Sequence, residues 1–182
     1  MTAINLERYC TYEEWVAQDD VIHSELLNGI VYLMAPPTRR HQDILVELLR
    51  QLVTFLDGRP CKVYPAPFGV RLYAEKDTVL LPDITVICDP TKLDDQGCTG
   101  APDLVVEILS PSTSRYDRVT KFNEYLHAGV REYWIVDPDD NTLNVHRLRD
   151  GAYVTDAYTD TDVATVQVLP GCEIELSRVF QE

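Results

Sequence analysis

The chain has 182 residues, 45% of them hydrophobic and 25% charged, and a formal net charge of −14. That length carries one sizeable core and gives no ground for two, so residues 1–182 are expected to form a single domain. The acidic balance excludes loose, charge-driven binding to nucleic acid or to anionic lipid, because a polyanion is repelled at long range by a body of the same sign.

Thr11-Tyr12-Glu13-Glu14 has the spacing of a capping box and predicts a short helix starting near Thr11. Asn28-Gly29 lies between two apolar runs and tolerates the positive φ angles of a tight turn, which predicts a β-hairpin over residues 24–33. From Thr38 to Leu56, Ile44, Leu45, Leu48, Leu49, Leu52, Val53 and Leu56 recur at spacings of three and four, the period of a buried helix face, and Gly58-Arg59-Pro60 stops it. Strands are expected near Lys62–Ala66, Gly69–Tyr73 and Val79–Cys88, then a surface loop over Asp89–Pro102. Leu104–Leu109 is a buried-type strand with one acid inside it. A helix is expected from Ser114 to Ala128, closed by Gly129, and Glu132–Pro138 is another apolar strand. The remainder, with turns at Asp139-Asp140-Asn141 and Asp150-Gly151, predicts an antiparallel meander. The order predicts an α/β (α+β) fold, a central mixed sheet flanked by helices.

No run of about 18 apolar residues occurs, and residues 1–8 lack the basic-then-apolar order of a secretory leader, so a cytoplasmic protein without a membrane partner is expected. Cys10, Cys61, Cys88, Cys98 and Cys172 are odd in number, scattered and never spaced as C-x-x-C, and read as reduced packing residues.

A carboxylate inside an apolar strand is costly unless a cation or hydrogen-bond donors replace its water, and Asp83 and Glu107 both stand in such places. Two strands presenting one acid each can pinch a hard divalent ion. Downstream, Asp117, Lys121 and Tyr125 follow at i, i+4 and i+8 and share a helix face, offering an acid, an ammonium and a phenol. Each residue also has a plain reading. Pro82-Asp83 can simply begin a strand or turn, Glu107 can pair with a buried arginine or a hydroxyl, Asp117 and Lys121 can form a solvated helix pair, and Tyr125 can be packing. His41 reads as a cap or surface residue, and Ser110 and Ser112 as residues that turn the chain and cap the next helix. Arg115, Arg118, Lys121 and Arg131, with Arg39 and Arg40 upstream, form either a phosphate-facing patch or an ordinary mixed surface.

Pro82-Asp83 followed by Glu107-Ile108-Leu109 resembles the PD-(D/E)XK nuclease superfamily. Within it, the string from Pro102-Asp103-Leu104-Val105-Val106-Glu107 through Asp117, Lys121, Tyr125 and Ala128-Gly129-Val130 to Glu132–Pro138 resembles the restriction endonucleases of the Uma-two family. Glu25-Leu26-Leu27-Asn28-Gly29 and His41 extend that resemblance over nearly the whole chain. It implies a restriction-endonuclease-like core, with Asp83, Glu107 and the Ile108 carbonyl as ligands of Mg²⁺ or Mn²⁺. It also implies Glu25 as an added carboxylate, DNA as substrate and a homodimer, whose interface the β-rich tail from Thr142 to Val168 could supply. The superfamily has lysine two residues after the second acid, where this chain has Leu109, so the resemblance implies that Lys121 takes that place from the following helix. The expected function is metal-dependent hydrolysis of DNA phosphodiesters, with Lys121 positioning the water and Arg115 and Arg118 facing phosphates. The competing expectation, from Leu109 and the acidic charge, is a nuclease-shaped module that binds nucleic acid or a protein partner without cutting.

Overall fold

The computed structural model describes residues 2–3, 9–17, 24–111 and 114–181. Its elements are β1 (Thr2–Ala3), α1 (Tyr12–Val16), β2 (Ser24–Leu27), β3 (Ile30–Leu33), α2 (Arg39–Leu56), β4 (Lys62–Pro65), β5 (Val70–Arg71), β6 (Val79–Leu80) and β7 (Ile84–Ile87). Then come β8 (Leu93–Asp94), β9 (Gly97–Thr99), β10 (Leu104–Ile108), a π-helical turn over Tyr116–Lys121, α3 (Phe122–Ala128), β11 (Glu132–Asp137), β12 (Thr142–Arg149), β13 (Ala152–Thr159), β14 (Val163–Val166), β15 (Cys172–Glu175) and α4 (Leu176–Val179).

The strands form two mixed sheets and a small antiparallel pair. One sheet has the order β13-β12-β11-β10-β7-β4, the other β1-β3-β2-β6-β5-β9-β8, and β14 pairs with β15. Only the crossover strands β10 and β11 pair in parallel in the first sheet, because the helical segment between them returns the chain to the same end. The first sheet divides the core. Leu104, Val106 and Ile108 of β10 pack with the α2 stripe Ile44, Leu45, Leu48, Leu52 and Leu56. Val105 and Leu109, of opposite parity, pack with Tyr125, Tyr133 and Ile135 and with Leu27, Val70 and Leu80 of the second sheet.

Local signals hold where they are strongest. The capping box of Thr11 and Glu14 opens α1, and Thr38 caps α2 by accepting from the His41 N–H. Asn28 and Gly29 take φ of 50° and 78° in the β2–β3 hairpin, and Gly129 ends α3 at φ 86°. Val53, expected on the buried face of α2, is half exposed.

Other expectations need correction. The apolar run Val79–Cys88 is two strands in different sheets, since Pro82 has no N–H to give a ladder and the chain turns there. Asp89–Pro102 is not a bare loop but carries the β8–β9 hairpin, turned by Asp94 accepting from the N–H groups of Gln96 and Gly97. The tail is only partly one meander, for β14 and β15 leave the large sheet. Cys61 and Cys88, expected reduced, are joined in a disulfide, because the pairing of Lys62 with Ile87 brings their ends together across β4 and β7; Cys10, Cys98 and Cys172 are buried thiols outside that disulfide. No described helix is long and apolar enough to cross a membrane.

Candidate active site

The antiparallel register of β7 and β10 sets Ile84 against Val106, and continuing it by one residue sets Asp83 opposite Glu107. Directly opposed residues of an antiparallel pair point to one face. Glu107 shares its face with Val105 and Leu109, the face covered by the helical crossover, and that crossover brings the expected lysine to it. Lys121 Nζ lies 2.9 Å from Glu107 Oε1, 2.9 Å from Glu25 Oε1 and 3.5 Å from Asp117 Oδ1. Tyr125 donates its hydroxyl to Glu107 Oε1 at 2.8 Å, and Glu25 Oε1 also accepts from the Leu81 N–H at 2.9 Å. Asp117 and Lys121 are not a solvated pair, since both are 2% exposed, and Tyr125 is wholly buried.

The electrostatics follow from one ammonium among several acids. Burial opposes the charged form of Lys121, but Glu107, Glu25 and Asp117 outweigh it and hold the ammonium well above its ordinary pKa. Burial raises Glu107 well above the usual carboxylate range; Lys121 counters this only in part, while Asp117, Asp83 and Glu25 add to it. Both directions agree with a cluster in which acids outnumber the cation.

Asp83 sits at the edge of this cluster with different partners. Its Oδ2 accepts from the Ile108 N–H at 2.7 Å and lies 3.3 Å from His41 Nε2. Burial alone would lower the His41 pKa, but the hydrogen bond to Asp83 and its charge, with a bond to the Ile108 carbonyl, hold it above its usual value. The expectation that His41 is a cap or surface residue is therefore corrected: its ring is buried against Asp83. A signal was present in the sequence, because His41 stands three and four residues before Ile44 and Leu45 and so lies on the buried stripe of α2.

The arginines divide. Arg115 is exposed, whereas Arg118 is tied to Asp137 Oδ2 at 2.6 Å, Arg131 to Asp103 and Arg39 to Asp43. Arg40 donates to Asn141 and to the backbone carbonyls of Phe180 and Gln181. Ser110 accepts the Ser114 N–H through its carbonyl, while Ser112 lies outside the described residues.

The donor set fits a hard divalent ion. The side chains of Asp83 and Glu107 and the Ile108 carbonyl all offer oxygen donors from neighbouring strands, the kind such an ion prefers. Lys121 and Tyr125 both use Oε1 of Glu107, and the partners of Asp83 use Oδ2, so Oε2 and Oδ1 receive no hydrogen bond from the described residues. Glu25 Oε2 is a buried oxygen without a partner in the same cluster. Among the described residues no three His, Cys, Asp or Glu side chains converge as a cage.

The family model described as "Putative restriction endonuclease" matches residues 6–177. The chain belongs to the Uma2 family. As a Uma2 protein it is 29% identical over 153 residues to an uncharacterised protein of Synechocystis sp., covering 83% of this chain and 80% of that one. A second uncharacterised Synechocystis protein is 28% identical over 118 residues, 63% of this chain and 66% of the other. The crystal structure of a "putative nuclease belonging to DUF820" from Anabaena variabilis superposes with a TM-score of 0.76, covering 93% of this chain and 97% of that one at 20% identity. The Uma2 chain thus has a nuclease-like fold.

Proposed function

We propose that this protein is a Mg²⁺- or Mn²⁺-dependent endonuclease that hydrolyses DNA phosphodiesters. The observation that carries the reading is the ammonium of Lys121 at 2.9 Å from Glu107 on a strand paired with the one that Asp83 begins. Asp83, Glu107 and the Ile108 carbonyl would hold the ion, which when bound polarises a phosphoryl oxygen and makes water a better nucleophile. Around it, Lys121 orients the attacking water and offsets charge on the phosphoryl group. Tyr125 and Asp117 fix Lys121 and Glu107 in place, Glu25 adds a carboxylate to the same pocket, and His41 orients Asp83. Arg115 and Arg118 face the DNA backbone, Arg118 after exchanging Asp137 for phosphate. The enzyme works as one domain and as a homodimer, with the exposed edge strand β13 as the interface.

The test is incubation of purified protein with plasmid and with single-stranded DNA in either metal. Cleavage is expected in the wild type and absent in Asp83→Ala and Glu107→Ala. Cleavage that persists unchanged in both variants would end the proposal.

One observation favours a second reading, that of a nuclease-shaped module that binds without cutting: the ammonium of Lys121 is already surrounded by Glu25, Glu107 and Asp117. Calorimetric titration with Mn²⁺ separates the two. Retained binding of DNA or a protein partner with no metal-dependent heat would select the module.

A further inference from the structure

Lys121 has three N–H donors, and three carboxylates surround them. Nζ donates to Glu107 Oε1 and is held within ion-pair distance of Glu25 and Asp117, so an ammonium that turns toward water or phosphate draws away from one of these acids. Glu25 is the partner least able to lose it: the carboxylate is fully buried, Oε1 would keep only the Leu81 N–H, and Oε2 has no partner. A buried carboxylate stripped of its cation is strongly disfavoured unless another donor arrives.

One donor stands ready. The hydroxyl of Tyr116 is buried and without a hydrogen-bond partner among the described residues. Burial raises its pKa, and Glu25 is the foremost of the charges acting on it. The local backbone explains how it comes to be there. Residues five apart do not share a face of an α-helix, but the π-helical turn over Tyr116–Lys121 closes its bonds at i→i+5 and brings the first and last of these residues together. Lys121 Nζ accordingly lies 5.6 Å from the centroid of the Tyr116 ring. Asp117 and Lys121 at i, i+4 would meet in an ordinary helix; the π-turn is what adds Tyr116.

We propose that Tyr116 is a positioning residue that donates its hydroxyl to Oε2 of Glu25 when Lys121 turns away, and so releases the lysine for the reaction. This rests on the nuclease reading above. The hydroxyl keeps its proton throughout, so only hydrogen bonds are exchanged.

The experiment is Tyr116→Phe, which removes one oxygen atom and no packing. The kcat for DNA cleavage should fall about tenfold, the scale of one hydrogen bond made only in the working arrangement, with KM and the heat of Mn²⁺ binding unchanged. The loss should shrink when Glu25→Gln is added, since a neutral amide does not need the replacement donor. A second readout needs no cleavage: the side-chain ammonium signal of Lys121 followed by NMR as Mg²⁺ alone is added. It should move in the wild type and move less in Tyr116→Phe. A variant that cuts at the wild-type rate, or whose Lys121 signal follows the wild type, overturns the proposal. A wild type that cuts nothing refutes the nuclease reading, and the lysine signal then still decides the role of Tyr116.

Discussion

Two buried glutamates stand on the adjacent parallel strands β10 and β11, and they live differently. Glu132 has its oxygens satisfied: Oε1 accepts from Trp134 Nε1 at 2.9 Å, Oε2 from the Val168 N–H at 3.0 Å, and Arg147 Nε lies 3.6 Å away across the β11–β12 pair. Glu107 shares one ammonium with Glu25 and Asp117 and leaves an oxygen unused. Burial raises the pKa of both. A buried acid is therefore no mark of function by itself; the mark is a surplus of acids over donors, because folding gains nothing from carboxylates it cannot satisfy.

The sharpest way to break this contrast is to neutralise each acid in turn. Glu107→Gln should lower cleavage by about a thousandfold or more, the scale of lost electrostatic and metal assistance, with the fold intact by circular dichroism. Glu132→Ala should leave cleavage per folded molecule unchanged. It should cost about 2–5 kcal/mol in denaturant unfolding, since it leaves the buried Trp134 indole and Val168 N–H without their acceptor and takes from Arg147 one of its two acids. If the two variants behaved alike, the distinction between surplus and satisfied acid would be lost.

His146, which packs edge-on against Phe122 near the rear of the same cluster, sharpens the comparison from the cationic side. Burial, and then Arg118, push its pKa down to about 4. A depressed folded-state pKa gives stability that is present above the unfolded value near 6.5 and is lost as pH falls toward 4. That loss should reach about 3 kcal/mol. His146→Phe should flatten the unfolding curve between those pH values.

The smallest effect is on the stability of Glu107→Gln itself. Because the folded-state pKa of Glu107 is raised, its contribution is full below about 4.5 and is lost as pH rises. The melting temperature of the variant should therefore exceed that of the wild type at neutral pH, and the gap should close toward pH 4. A variant that melts lower at every pH would mean that the carboxylate is structural after all.

Much of this was legible in the sequence, for reasons of range. Asp83 and Glu107 announced themselves as acids in apolar strands, and Lys121 with Asp117 and Tyr125 as a helix face, because each signal needs only neighbours in the chain. Caps and turns at Thr11, Asn28-Gly29 and Gly129 are likewise local. What escaped depends on distant partners or on departures from regular geometry. The Cys61–Cys88 bond requires the register of β4 on β7, the separation of Val79-Leu80 from Ile84–Ile87 requires knowing that two sheets compete for the run, and the place of Tyr116 requires a π-turn that no spacing rule foretells. Glu25 was visible only through the family resemblance, since its meaning comes from Lys121, far along the chain.

Arg40 links the first turn of α2 to the opposite end of the polypeptide, through the carbonyls of Phe180 and Gln181 and the amide of Asn141. Its neighbour His41 braces Asp83. The carbonyls of Phe180 and Gln181 thus act as a guy-rope on the first turn of α2, and freeing Arg40 from them would be felt at His41 and, through it, at Asp83, the proposed metal ligand.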